Sequence, residues 1–454
     1  MSVASYFGLN DRPFIRTMWK LAIPMMLQQA VQSSITLLDN VMVGVLGDNA
    51  LAALYQANQV SFLMYVFMFG ITSGAQAFTA QFWGKRDLAS IRKTQGLALI
   101  GGQIIGWSFF AICFFSPQTI LRLFTQDAEV LALGAEYLST VCFIYPMQGV
   151  TYVYAAILRG TENVKLPMMT AVAGMACNAV LNYGLILGNL GMPALGVRGA
   201  AFATVSSLVV DLTLILTLSH VWKKPTADRR YPLLGFDRYF VKRFFKIAIP
   251  VFLNESLWSM AQFTVALCYS HLGTQMTAAM SIFSVFDKMG FVLYVGLGNA
   301  CAVLCGKRIG AGEEEIAQLY ARRCLRLSFV VGAVACIVVN LAVPLLFPIY
   351  EASAAAKAIA RNNVWIYGFA SPILVHNFVL VIGLLRSGGD VRFSLMLDAG
   401  MQWCSMVAGV ALAAYVLGVP PQWVYAFTVP GEVVKMVIGR RRIKNGKWIH
   451  HLTA

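Results

Sequence analysis

Residues 19–29 read WKLAIPMMLQQ, and residues 245–255 read FKIAIPVFLNE. The two stretches share a lysine, the tripeptide Ala-Ile-Pro and a leucine in the same register. Further along, AILRGTENVKLPMM from residue 156 matches GLLRSGGDVRFSLM from residue 383, which places Arg159 opposite Arg386. The chain therefore contains a duplicated unit, and the nature of that unit decides the fold.

Each copy of the unit consists of long apolar runs. Of the 454 residues, 58% are hydrophobic and 12% are charged, whereas soluble domains contain roughly 25% charged residues. A membrane helix needs about 20 mostly apolar residues, and the runs are too long for barrel strands. We predict twelve transmembrane helices in two pseudo-symmetric six-helix lobes, an all-α polytopic membrane protein. The predicted spans are 16–46, 54–80, 94–116, 130–157, 166–188, 198–221, 242–271, 277–304, 319–347, 358–385, 392–417 and 422–439.

The basic residues predict the orientation of these spans. Most of the 35 Lys and Arg residues lie at the two ends of the chain and in the loops that follow even-numbered spans. The positive-inside rule then puts both termini in the cytoplasm, in a cell (inner) membrane. The first run continues to Gly47 without a cleavage site, so we expect a spanning helix there and not a signal peptide. The net charge of +15 is explained by topology and requires no nucleic acid partner.

The longest hydrophilic loop divides the chain into its predicted domains. These are an N-lobe (1–221), a cytoplasmic linker (222–241), a C-lobe (242–439) and a basic cytoplasmic tail (440–454). Because each unit has an even number of spans, the two copies have the same orientation. Such parallel repeats are typical of secondary transporters, with the substrate path between the halves.

The order of motifs resembles the multidrug and toxic compound extrusion (MATE) family. The resemblance is carried by the repeated Ala-Ile-Pro, by LLDNVMVGVLG at residues 37–47, and by the LRG and LRS ends of spans four and ten. It implies two lobes forming a V-shaped cavity, and export of organic cations and amphipathic drugs against an inward flow of H⁺ or Na⁺. We therefore expect a monomeric antiporter that works by alternating access, with no cofactor besides its coupling ion.

A second kind of transporter and an enzyme are the alternative functions. A flippase for lipids or lipid-linked oligosaccharides is the alternative transporter, and a cavity lined by basic side chains would favour it. An enzyme is not expected, because the chain has no HExxH, GxSxG or phosphate-binding loop.

Asp39 is the most informative residue of the first span. A carboxylate at the centre of an inserted helix costs on the order of 2.5–3.5 kcal/mol, so intramembrane acids suggest function. Three interpretations are open: a coupling-ion site, a structural partner of a buried donor, or a hydrated residue near the membrane surface. Gln32 and Thr36 lie on the same helix face as Asp39 and are candidates for the substrate cavity.

Polar residues of spans five and six favour the first interpretation. Asn178 and Asn182 are one helical turn apart, and Thr204 lies on the next span. Together with Asp39 they offer hard oxygen ligands suited to Na⁺, although a protonated Asp39 is the alternative. The resemblance places the cation site at these positions: Asp39, Asn178, Asn182 and Thr204. Pro24 precedes Asp39 as either a moving hinge or a static kink.

The second lobe lacks an acid at the position of Asp39. Glu255 aligns with Gln29, and the resemblance implies that it lines the cavity; a hydrated residue at the cavity mouth is the alternative. His376 is either a proton carrier or a structural hydrogen-bonding residue, and Asp287 is a candidate for binding cationic substrate. An internal i, i+3 salt bridge explains Glu432 with Lys435. No role is predicted for Asp211 or Asp398.

Overall fold

Twelve long helical segments make up the part of the protein that the structure describes. The computed structural model describes residues 11–227, 236–350 and 352–452. Over these residues the segments are α1 (Arg12–Gly44), α2 (Asp48–Gly84), α3 (Leu88–Phe115), α4 (Ala128–Val141 with Ile144–Gly160), α5 (Lys165–Leu187), α6 (Gly196–Val221), α7 (Arg238–His271), α8 (Thr274–Gly310), α9 (Glu314–Leu346), α10 (Ala354–Phe378, continuing through Val379–Leu385), α11 (Val391–Met401, continuing through Leu412–Val416) and α12 (Pro421–Val424, Tyr425–Thr428 and Val429–Lys444).

The predicted all-helical membrane fold is confirmed. Within the described residues, eight helices are long and apolar enough to cross a membrane, and α4 makes nine when its two parts, bent by 50°, are counted as one span. Because an α-helix satisfies its own backbone hydrogen bonds, such runs need no partner from lipid. The one β-type pairing in the described part of the chain joins Gly389 to Ile449.

The helices pack into two compact units. One contains the described parts of Met1–Met26, Ala80–Arg86 and Leu253–Ala454. The other contains Leu27–Thr79 and the described part of Asp87–Phe252. We call them the C-terminal unit and the N-terminal unit. The limits of the predicted lobes, linker and tail stay a prediction, and residues 228–235 of the linker lie outside the described residues.

Several helices depart from regular α geometry. Pro24 lies inside α1 and Pro250 inside α7, and both helices continue past the proline. The end of α10, Val379–Leu385, is π-helical, as are the segments Gln402–Val407 and Leu412–Val416 of α11. Wide π turns inside α-helices are rare and often occur at functional sites.

Two glycines allow α3 and α4 to come close together in the N-terminal unit. A Cβ atom at Gly102 would lie 2.9 Å from the Gly149 carbonyl oxygen, and one at Gly149 would lie 2.7 Å from the Gly102 carbonyl oxygen. Any larger side chain would therefore push the helices apart. Such contacts between small residues are how membrane helices gain packing energy without a hydrophobic driving force between them.

The end of the chain is packed against the C-terminal unit. The Trp448 side chain is fully buried, and its Nε1 donates a hydrogen bond to Gln318 Oε1 of α9 at 2.7 Å. Its ring lies against Gly388, where a Cβ atom would be 2.4 Å from the indole. The absence of a side chain at Gly388 thus makes room for the tryptophan ring.

Backbone hydrogen bonds hold the residues that follow Trp448. The His450 amide donates to the Gly388 carbonyl at 2.7 Å, and the Leu452 amide donates to Gln81 Oε1 at 2.8 Å. Gln81, at the end of α2, also donates to the Ser387 carbonyl at 2.9 Å. The segment from Trp448 to Leu452 is therefore an ordered strap joining α2, α9 and the turn between α10 and α11.

Candidate functional site

The Asp39 carboxylate of α1 is buried against α5. Its side chain is 8% exposed, and Asn182 Nδ2 donates a hydrogen bond to Asp39 Oδ1 at 2.5 Å. The same nitrogen donates to Asn178 Oδ1 at 3.0 Å. Because Asn178 and Asn182 are one turn apart, a single face of α5 presents both amides to the acid. The structure thus brings three of the predicted residues together within the N-terminal unit.

No described basic group forms an ion pair with Asp39. Two polar atoms beside it, Asn178 Nδ2 and Asn182 Oδ1, are buried and have no hydrogen-bond partner among the described residues. A buried polar group without a partner is costly and calls for an explanation. A bound cation that is coordinated by the amide oxygen, or a rearrangement of the amides, would provide one.

The oxygen atoms beside Asp39 can coordinate a small monovalent cation once the Asn182 side chain has rotated. The oxygens of Asp39, Asn178 and Asn182 are hard ligands. However, the Asn182 nitrogen lies between the other two oxygens, where a cation would bind. Turning the Asn182 amide by half a turn would replace this nitrogen with Oδ1. The two orientations of an amide are distinguished only by their hydrogen bonds.

Thr204 lies beside this group without bonding to Asp39. Its hydroxyl donates to the Ala200 carbonyl of its own helix, α6, at 3.0 Å. Tyr137 of α4, which the sequence reasoning missed, lies near the Thr204 hydroxyl and the Asp39 carboxylate. Its side chain is buried. A tyrosine in an apolar run carries no periodic signal that separates a site residue from a packing residue.

The other predicted residues of the first span are Gln32, Thr36 and Pro24, and their roles stay predictions. Gln32 is exposed, and the side chain of Thr36 lies outside the described residues. Pro24 lies within a continuous α1, so its role as a hinge stays a prediction.

Glu255 of α7 forms an ion pair that the sequence reasoning missed. Arg386, at the end of α10, is 3% exposed and places its guanidinium 2.5 Å from Glu255 Oε1. The equivalent Arg159 in the N-terminal unit instead contacts Gln76 Oε1 at 3.2 Å and Gln28 Oε1 at 3.5 Å. The repeat could have indicated this difference, since it aligns the two arginines and puts a glutamate in one copy only.

His376 and Asp287 are separate from Glu255. His376 is fully buried; its Nδ1 donates to the Leu325 carbonyl at 3.0 Å and contacts Ser328 Oγ at 3.1 Å. The Asp287 backbone carbonyl accepts a hydrogen bond from the Tyr367 hydroxyl at 3.2 Å. The described contacts do not join these residues to one cavity wall, and the roles predicted for His376 and Asp287 stay predictions.

Asp398 joins the predicted pair of Glu432 and Lys435. Lys435 Nζ lies 2.7 Å from Glu432 Oε1 and 2.9 Å from Asp398 Oδ1. The internal pair on α12 is therefore part of a larger buried cluster. Helical spacing reveals the pair, but it contains no information about an acid on α11.

Comparison with known proteins places this architecture among transporters. The family model MatE matches residues 24–184 and 250–401. The chain is 25% identical to the probable multidrug resistance protein YoeA of Bacillus subtilis, over 86% of this chain and 84% of that protein. It is 28% identical to the probable multidrug resistance protein NorM of Rhizobium meliloti, over 90% of this chain and 85% of that protein.

The fold also matches a solved transporter structure. It superimposes with a TM-score of 0.86 on an outward-facing multidrug resistance MATE family transporter of the MOP superfamily. The sequences are 21% identical, and the match covers 95% of this chain and 96% of that one.

Proposed function

Because this chain belongs to the MatE family of multidrug and toxic compound extrusion transporters, we propose that it exports organic cations and other amphipathic toxic compounds in exchange for H⁺ or Na⁺ by alternating access. Its relatives, named as multidrug resistance proteins, support drugs as substrates. The protein is a multi-pass membrane transporter. In this proposal it acts as a monomer in the inner membrane, with both termini in the cytoplasm.

The observation that carries the proposal is the buried Asp39 carboxylate. It has two asparagine neighbours and no described basic partner, so an external positive charge is needed to neutralise it in a low-dielectric site. A coupling ion must bind two conformations with different affinity, because an ion with equal affinity shifts no equilibrium. The Asp39 carboxylate can provide this difference in affinity, because its hydrogen bonds change when its charge is neutralised.

The side-chain amide of Asn182 is the group that would change orientation when the ion binds. With Asp39 ionised, the Asn182 nitrogen donates to the carboxylate. A protonated Asp39 would instead donate to an amide oxygen, and Na⁺ would bind amide oxygens directly. Either coupling ion therefore favours rotation of the Asn182 amide, and α1 and α5 would repack around it.

The test is Asp39→Asn in proteoliposomes, with Na⁺ and pH gradients imposed separately. The substitution keeps size and hydrogen bonding but removes the ionisable charge. We expect the variant to fold and to bind drug, and to lose gradient-driven export. Whichever gradient drives the wild-type protein identifies its coupling ion.

A matched control removes another carboxylate of the same unit. Asp127 accepts hydrogen bonds from the amides of Glu129 and Val130 at the start of α4, and Asn caps a helix about as well as Asp. Asp127→Asn should therefore transport like the wild type. Wild-type export rates in Asp39→Asn would refute the coupling role.

A further inference from the structure

Two carboxylate–asparagine pairs face each other across one lysine in the C-terminal unit. Asn254 Nδ2 donates to Asp398 Oδ2 at 2.9 Å, and Asn377 Nδ2 donates to Glu432 Oε2 at 2.7 Å. Lys435 Nζ bridges the remaining oxygens, Asp398 Oδ1 at 2.9 Å and Glu432 Oε1 at 2.7 Å. These five residues, contributed by α7, α10, α11 and α12, form what we call the Lys435 cluster.

The cluster repeats the chemistry of the Asp39 group on different helices. In both, an asparagine nitrogen donates to a buried or half-buried carboxylate while the amide oxygen has no partner among the described residues; this holds for Asn182, Asn254 and Asn377. Asn254 is 2% exposed and Asn377 is 3% exposed. The difference is the ammonium group of Lys435, which has no counterpart beside Asp39.

We infer that the Lys435 cluster is a monovalent cation site in which the Lys435 ammonium is a tethered cation. The ammonium is a compact point charge with three donors, and it contacts two carboxylate oxygens as a free cation would. The site consequently takes no free coupling ion while Lys435 is present. Without the lysine charge, the same oxygens would bind a free monovalent cation of the Na⁺ class.

Charge balance supports this assignment. Glu255 and Arg386 lie beside the cluster, and Arg386 acts electrostatically on Asp398. The combined group has three carboxylates and two basic residues, a formal charge of −1. Neutralising Lys435 would leave two uncompensated carboxylates, and an uncompensated charge with little exposure to solvent is destabilising. A bound Na⁺ would restore the charge, and half a turn of each amide would present the unpartnered oxygens of Asn254 and Asn377 as further ligands.

A structural ion pair is the competing explanation, and it differs in what it predicts. If the ion pair only holds α11 to α12, removing Lys435 would destabilise the protein, and Na⁺ and choline would have the same effect on its stability. A cation site would regain stability specifically with Na⁺. Cation binding at the Lys435 cluster can be measured whether or not the protein is an antiporter. The consequence for transport, that the coupling ion binds at Asp39 alone, rests on the proposed function.

The experiment measures thermal unfolding of purified protein in detergent as Na⁺ is titrated, with choline holding the ionic strength constant. All variants carry Asp39→Asn, which removes the first candidate site. This background should show no Na⁺-specific stabilisation. Adding Lys435→Met should lower the unfolding temperature in choline and produce a rise with Na⁺ that saturates, as for a single site.

Two further variants test the assignment. Adding Asp398→Asn to the Lys435→Met protein should abolish the Na⁺ response. Lys288→Met, in place of Lys435→Met, removes an exposed lysine of the same unit and should produce no response. If Lys435→Met does not accumulate, Lys435→Gln serves in its place, since it also removes the charge.

Two results would overturn the inference. One is a folded Lys435→Met or Lys435→Gln protein that responds equally to Na⁺ and choline. The other is Na⁺-specific stabilisation of the Asp39→Asn background, which would mean that a free cation binds while Lys435 is present. Neither result depends on transport, so failure here is distinguishable from failure of the proposed antiport.

Discussion

Replacing Trp448 by alanine should release the strap from the C-terminal unit. The indole is fully buried against Gly388, and its Nε1 donates to Gln318 Oε1 at 2.7 Å. Substituting a buried Trp by Ala typically costs about 3–5 kcal/mol, a range that includes the cavity left behind. Because Gln318 is only half-buried, water can reach its Oε1 once the indole is removed, and no large extra penalty arises from the lost hydrogen bond.

The expected effect is local, since Trp448 is the largest buried side chain of the strap and the rest of the strap is held mainly by hydrogen bonds. At a factor of ten per 1.4 kcal/mol, the open population should rise roughly 100- to 4,000-fold. Two amides report on it directly: His450, bonded to the Gly388 carbonyl, and Leu452, bonded to Gln81 Oε1. Hydrogen–deuterium exchange at these amides measures the free energy of local opening.

The control is another tryptophan of the same unit. Trp423 is 53% exposed, so Trp423→Ala should leave exchange at His450 and Leu452 unchanged. Unchanged protection of both amides in Trp448→Ala would refute the reasoning, because it would show that the backbone hydrogen bonds alone hold the strap.

Two further predictions concern orientation and the Glu255 ion pair. Cysteines introduced by Arg230→Cys, outside the described residues, and by Asn445→Cys should label only from the cytoplasmic side; labelling from outside would reverse the topology. Glu255→Gln should lower the unfolding temperature because it removes the carboxylate that pairs with the buried Arg386 guanidinium, and the double variant with Arg386→Gln should recover part of the loss. Glu255→Gln should also weaken binding of cationic dyes more than neutral ones, and an equal loss for both classes would indicate a purely structural residue.

The helical segments followed closely from local sequence. Apolar runs of membrane length and the backbone's need for internal hydrogen bonds allow little else. The first span was predicted at residues 16–46 and the helix is Arg12–Gly44. The bend within α4 and the π turns of α10 and α11 were not predicted, because they depend on packing with neighbouring helices.

Part of the group around Asp39 could be predicted from the sequence. The i, i+4 spacing places Asn178 and Asn182 on one face whatever surrounds them. The pairing of that face with Asp39 was implied by the family resemblance and not by spacing. Tyr137 was missed because its contribution depends on which side of α4 faces α6.

The sequence by itself determined that the protein is a duplicated, all-helical membrane protein with acids in its apolar spans. Only the tertiary structure decided what those acids contact. Asp398 has partners on α7 and α12, and Glu255 is paired with an arginine from α10. Periodicity establishes which residues share a helix face, but the rotation and depth of each helix result from the packing of all its neighbours. Contacts between helices are therefore a property of the whole fold.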